Sequence, residues 1–205
     1  MPPASRQLTL IRIGLFLLCL LPAFWLSWGF FQQQLGANPF EVLTRNTGLW
    51  TLRLLLLTLL LRPLAELLKQ RWLLRLRRML GLFSFFYAGL HMLTYLWFDQ
   101  FFDWSEIGVD IAKRPYITIG MLAFVLLIPL ALTSTRAMMR RLGRRWQILH
   151  RLVYVIAPLG VLHFFLLVKA DIREPLLYAV ILALLLGYRL RGRAARLSRA
   201  AVTSH

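Results

Sequence analysis

The chemistry of this 205-residue chain is concentrated in four histidines, His91, His150, His163 and His205. The first three lie in or at the edge of long apolar stretches, where an ionisable side chain is costly and signals a function. For a single imidazole in such a place, an interhelical hydrogen bond is the plain alternative to metal ligation. Depth separates the two. Counted from the inner ends of their spans, His91 lies about 16 Å and His163 about 24 Å along the helix, which puts both in the central-to-outer part of a membrane. Two histidines at comparable depth on adjacent antiparallel helices supply the two axial nitrogens of a haem iron, while the apolar surroundings bury the macrocycle. A zinc site would want further ligands, and no carboxylate lies within these apolar blocks. The single cysteine, Cys19, excludes an intramolecular disulfide or a thiolate cage. His205, the last residue, carries no expected role.

His150 precedes His163 by thirteen residues, which is about 19.5 Å of rise and about 140° of rotation on an ideal helix. That leaves room for a second haem beneath the first, and Pro158 and Gly160 between the two are able to rephase the helix. The matching depth of the third span holds Arg77 and Arg78. Arginine is a poor iron ligand but a good partner for haem propionates or a flavin phosphate. His150 is therefore expected to serve an asymmetrically held inner haem or to bond a propionate. Arg53, deep in the second span, is expected to meet a propionate, a quinone oxygen or a backbone carbonyl. Ala88, Gly89 and Gly160 open space for a porphyrin, although such residues are also ordinary at helix interfaces.

These residues need a scaffold, and the composition supplies one. Hydrophobic residues make up 59% of the chain, with a mean hydropathy of +0.64. They come in blocks of about 20, the length a helix needs to cross a bilayer. The expected fold is all-α: one polytopic bundle, residues 1–205, of six transmembrane helices over 9–29, 48–67, 79–98, 116–134, 147–168 and 175–190, with no separate soluble domain. The first apolar run is too long for a signal peptide and reads as a retained span. Between Arg62 and Arg78 six basic residues face only Glu66, and Arg136 to Arg145 holds five arginines and no acid. The tail adds Arg189, Arg191, Arg193, Arg196 and Arg199. The other loops are neutral or acidic: Glu41 against Arg45, then Asp99, Asp103, Glu106 and Asp110 against Lys113 and Arg114, then Lys169 and Arg173 against Asp171 and Glu174. This alternation places both termini in the cytoplasm. It also assigns the net charge of +17 to lipid headgroups rather than to nucleic acid. The segment from Phe101 to Arg114 mixes aromatic, apolar and acidic residues, which suits a short helix on the outer membrane surface and a docking face for a partner. No internal repeat is visible.

Four segments, Gly89 to Tyr95, Arg114 to Gly120, Leu132 to Met138 and Trp146 to Tyr154, resemble the haem-binding subunits of the bacterial methionine sulfoxide reductase system, the MsrQ (YedZ) family, and the likeness runs from the first span to the tail. The resemblance implies a multi-pass subunit of the bacterial inner membrane within the ferric-reductase-like transmembrane superfamily. It implies b-type haem, one or two per chain, and an association with FMN, for which the sequence offers no phosphate-binding glycine loop. It further implies electron transport from the quinone pool or a cytosolic flavin reductase to a periplasmic molybdopterin-containing methionine sulfoxide reductase, which repairs oxidised periplasmic proteins. Such a chain is a non-catalytic electron-transfer subunit. It departs from the superfamily's two histidine pairs by carrying Arg77 and Arg78 where a fourth histidine would stand. The rival readings are a stand-alone ferric reductase, a small transporter, and a scaffold whose histidines only bond between helices. Few polar residues are available to line a transport path.

Overall fold

The computed structural model describes residues 4–168 and 170–202, with side chains followed as far as Arg191. Lys169 and His205 lie outside these residues, as do the side chains of Arg193, Arg196 and Arg199. Among the described residues the secondary structure is helical throughout. The elements are α1 (Ser5–Phe31), α2 (Pro39–Leu67), α3 (Arg77–Thr94), α4 (Trp104–Lys113), α5 (Pro115–Leu132), α6 (Arg136–Leu142), α7 (Arg144–Leu149), α8 (Val153–Leu167) and α9 (Arg173–Val202). A 3-10 segment, Arg71–Leu76, leads into α3, a π turn, Tyr95–Asp99, ends it, and a 3-10 turn, His150–Leu152, joins α7 to α8.

Five helical runs are long and apolar enough to cross a membrane: Ser5–Phe31, Pro39–Leu67, Arg71–Asp99, Pro115–Leu132 and Arg144–Leu167. They coincide with the first five expected spans. The sixth expected span falls inside α9, whose apolar stretch from Pro175 to Tyr188 is bounded closely by Glu174 and Arg189 and is shorter than the others. Helix ends depart from hydropathy where capping decides them. α2 starts at Pro39 rather than 48 because the Asn38 side chain accepts from the Glu41 N–H, Pro39 occupies the first turn and Glu41 complements the helix dipole. The outer surface helix is α4, whose N-cap Asp103 accepts from the N–H groups of Ser105 and Glu106.

α2 is the centre of the bundle. One core cluster joins it to α3, α5, α8 and α9 around the fully buried Leu59 and Ala157. A second joins it to α1 and α3 around Cys19, Leu54 and Tyr87. α9 lies along α2 in the same direction, tied by Arg45 to Glu174 at 2.9 Å, by Arg53 Nε to the Tyr178 hydroxyl at 2.9 Å, and by Tyr188 to Glu66 at 2.8 Å. Pro63 has no N–H to offer the Leu59 carbonyl one turn earlier, and Arg189 Nη2 donates to that carbonyl instead at 2.6 Å.

A similar repair holds α1. Beside Pro22, the Tyr87 hydroxyl of α3 accepts from the Ala23 N–H at 3.0 Å and donates to the Cys19 carbonyl at 2.7 Å. These two backbone groups stand one turn apart, so the hydroxyl is stitched into the helix ladder. Tyr87→Phe removes both bonds inside an apolar contact and is expected to destabilise the bundle by about 1–2 kcal/mol. A thermal melt in detergent checks this, and a variant that melts with the parent would show that α1 closes its ladder unaided.

Candidate functional site

His91 on α3 and His163 on α8 face each other, with ring centres 6.1 Å apart and planes at 78°. Each ring is anchored to a different neighbouring helix. His91 Nδ1–H donates to the Thr44 carbonyl of α2 at 2.9 Å, and His163 Nδ1–H donates to the Tyr116 carbonyl of α5 at 2.6 Å. A carbonyl only accepts, so in each neutral ring the proton sits on Nδ1 and the Nε2 lone pair is free. That is the tautomer of a metal-ligating histidine with its outer hydrogen bond in place. Two imidazoles bonded through Nε2 to one metal at about 2 Å have ring centres about 6 Å apart, which matches the spacing found. Among the described residues no three His, Cys, Asp or Glu side chains gather as a metal cluster. Among the described residues the chain thus brings two imidazoles to this point and no further side chain of these types.

A second feature lies at the other end of the bundle. An open cavity of about 1240 Å³ is lined by eight arginines, including Arg77, Arg78, Arg151 and Arg189, by His150, and by no carboxylate among the described residues. Nε of Arg77 and both Nε and Nη1 of Arg189 are buried without a hydrogen-bond partner. Unpaired guanidinium atoms on a basic cavity wall select an anion bearing carboxylate or phosphate oxygens. His150 is half-buried here, its ring stacked on Trp146 with centres 4.0 Å apart and its Nε2 3.1 Å from the Thr133 hydroxyl. The 3-10 turn that begins at His150 breaks the ideal phase between it and His163, so the 140° separation counted from sequence does not carry over.

The other expected residues divide. Arg53 is partly buried; its guanidinium lies 5.2 Å from the Trp50 ring centre and its Nε donates to the Tyr178 hydroxyl. Ala88 is buried in the core, and a side chain on Gly160 would touch Leu52 at 3.6 Å, so both serve helix packing, while Gly89 has open space beside it. The acidic outer loop is a smaller docking face than its composition suggests. Asp110 is buried, accepts from Gln100 Nε2 at 2.6 Å and pairs with Arg114 at 3.2 Å, and Asp103 is spent on its cap. Sequence reasoning assigned no site role to Arg189 and Trp146 at the cavity, to Thr133 beside His150, or to Thr44, Gly48, Tyr116 and Gly120 behind the histidines. The glycines carried no readable signal, since their place four residues after the carbonyl that holds a histidine shows only once the rings are positioned.

Residues 47–161 match the model of the family described as ferric reductase like transmembrane component. The chain is 56% identical to the protein-methionine-sulfoxide reductase heme-binding subunit MsrQ of Azospira oryzae, over 91% of this chain and 81% of that protein. It is 56% identical to the MsrQ of Herminiimonas arsenicoxydans, over 90% and 86% of the two chains, and 51% identical to that of Caulobacter vibrioides, over 93% and 92%. No solved structure matches it. By sequence and by transmembrane helical architecture, the chain belongs to the ferric reductase like transmembrane family and, within it, to the MsrQ heme-binding subunits of protein-methionine-sulfoxide reductase.

Proposed function

We propose that this protein is a b-type haem subunit that relays single electrons across the bacterial inner membrane, with His91 and His163 as the axial ligands of its outer haem. The observation that carries the reading is the pair of facing imidazoles, 6.1 Å apart, each with Nδ1 tied to a backbone carbonyl and Nε2 free. The relatives named as heme-binding subunits add independent support. Bound haem supplies one-electron chemistry at its iron. His91 and His163, oriented by the Thr44 and Tyr116 carbonyls, would hold that iron, and the apolar side chains around them would help to tune its potential.

At the inner end, Arg77, Arg78 and Arg189 hold the acidic edge of a second group, a haem propionate or a flavin phosphate, with His150 beside it. The unpaired donors of Arg77 and Arg189, and a described lining that includes Arg78 and no carboxylate, support this role. Arg53 acts on the site from behind, by bracing α2 against α9 through Tyr178. α9 is the sixth span: its ties to α2 from Arg45 through Glu66 follow that helix for most of its length. Both termini are cytoplasmic, because the arginine-rich segments alternate with the acidic ones. The electron donor is then the quinone pool or a cytosolic flavin reductase, and the acceptor a periplasmic molybdopterin-containing methionine sulfoxide reductase that repairs oxidised proteins.

A visible spectrum of the detergent-purified protein, before and after dithionite, tests the reading. The expected result is a Soret band that shifts and an α-band that sharpens on reduction. Absence of haem bands after haem-replete expression overturns it. The matched family's description keeps one second reading, a stand-alone ferric reductase, which reduction of ferric chelates without any periplasmic partner would favour.

A further inference from the structure

Behind each histidine stands a glycine. A Cβ on Gly48 of α2 would lie 3.1 Å from His91 Cε1 and 3.2 Å from its Nδ1. A Cβ on Gly120 of α5 would lie 2.7 Å from His163 Nδ1 and 2.9 Å from its Cε1. In both cases the glycine follows by four residues the residue whose carbonyl accepts the Nδ1 proton, Thr44 or Tyr116. The geometry explains the spacing. The carbonyl of a helical residue points along the axis toward the residue four places on, so a ring that reaches it from the side must pass over that residue's Cα. A side chain there crowds the approach, which glycine leaves open. The carbonyl lies 47 residues before its histidine in both pairs. One offset of 72 residues relates Thr44 to Tyr116, Gly48 to Gly120 and His91 to His163.

We propose that Gly48 and Gly120, through the carbonyls of Thr44 and Tyr116, are paired positioning residues that set the tautomer, the plane and the electron-donating strength of the two axial histidines. The proposal rests on the reading that His91 and His163 ligate haem. A histidine whose Nδ1–H is hydrogen-bonded is a more basic ligand, and a more basic ligand favours the oxidised iron. Moving the ring off its carbonyl therefore raises the midpoint potential. The distances set an order: an alanine methyl at Gly120 forces His163 to move, whereas at Gly48 it asks only a small shift of His91.

The test compares Gly48→Ala, Gly120→Ala and, as a control, Gly14→Ala, whose added methyl meets nothing within 4 Å. Potentiometry and low-temperature EPR are run on each purified haem-loaded protein. In Gly120→Ala the potential is expected to rise by about 59 mV, a tenfold change in the one-electron equilibrium, with shifted low-spin g values. Gly48→Ala is expected to change in the same direction by less, and Gly14→Ala not at all. A folded Gly120→Ala that no longer takes up haem also supports the proposal. Unchanged potential and g values in both site variants overturn it while leaving haem ligation intact. Ligation itself fails separately, if His91→Ala,His163→Ala keeps its full haem. Should either glycine variant not fold, the parent decides: in its reduced, diamagnetic form two imidazole Nδ1–H protons should resist exchange in deuterated water, and immediate exchange of both overturns the proposal.

Discussion

His91→Ala and His163→Ala each strip the outer haem from the purified protein, and the double variant shows no Soret band from that site. The expected loss is large because the chain offers that iron no substitute ligand. No third His, Cys, Asp or Glu gathers with the pair among the described residues, and the two rings stand with their centres only 6.1 Å apart. Removing one imidazole also takes one hydrogen bond from the Thr44 or Tyr116 carbonyl, a local cost of only about 0.5–1.5 kcal/mol, because each carbonyl belongs to a helical residue and that of Thr44 still accepts from the Thr47 hydroxyl. Imidazole added to the buffer should restore part of the haem in the single variants, because it fills the hole with the lost ligand. His150→Ala should leave the outer signal in place. A double variant that keeps the full Soret band refutes the ligand assignment. Loss of haem together with loss of helical structure, without rescue by imidazole, would instead point to the rings as packing elements.

Arg77→Met should weaken binding of the inner anionic group by about 10–100-fold while leaving the protein without that group as stable as the parent, or more so. The reasoning is electrostatic. Arg77 presents a buried Nε with no partner to a cavity that contains seven further arginines and no carboxylate. Without an anion, one cation fewer relieves repulsion and desolvation. With an anion, the same change removes a charge-assisted hydrogen bond worth about 1.5–3 kcal/mol. Arg189 gives a mixed result and is the poorer probe, because it also satisfies the Leu59 carbonyl that Pro63 leaves open. Titrations with FMN and with haem, at two salt concentrations, measure the effect and identify which anion the cavity prefers. Equal affinity in Arg77→Met and parent, for both, would remove Arg77 from the site.

How far the sequence could be read depended on whether the physics lay in side chains or in the backbone. Five spans were legible because lipid demands a long apolar block. α9 was harder, since Arg189 interrupts its apolar run in order to reach a carbonyl on another helix. The start of α2 was misplaced by nine residues, because Asn38 and Pro39 fix it and neither registers in hydropathy. The His91/His163 pair was drawn from depth and orientation, with the matched sequence motifs beside them. Their anchors were not, because a carbonyl is common to every residue, and Gly48 and Gly120 look like any packing glycines until the rings are seen to cross them. The absence of a visible repeat has the same cause: the offset that relates the two halves preserves a glycine, a carbonyl and a histidine, while the residues around them differ. Asp110 misled in the opposite sense. Its charge suggested an exposed docking face, yet Arg114, Gln100 and Tyr95 draw it inside.

The Tyr87 stitch has a consequence for the order of events during synthesis. α1 emerges from the ribosome before α3, but the hydroxyl that joins its Ala23 N–H to its Cys19 carbonyl belongs to α3. Until that third helix has been threaded into the bilayer, the segment around Pro22 waits with its own backbone slack, held in lipid by hydrophobicity alone. α1 is thus completed only after it is made, and its docking reports that the helix carrying His91 has arrived.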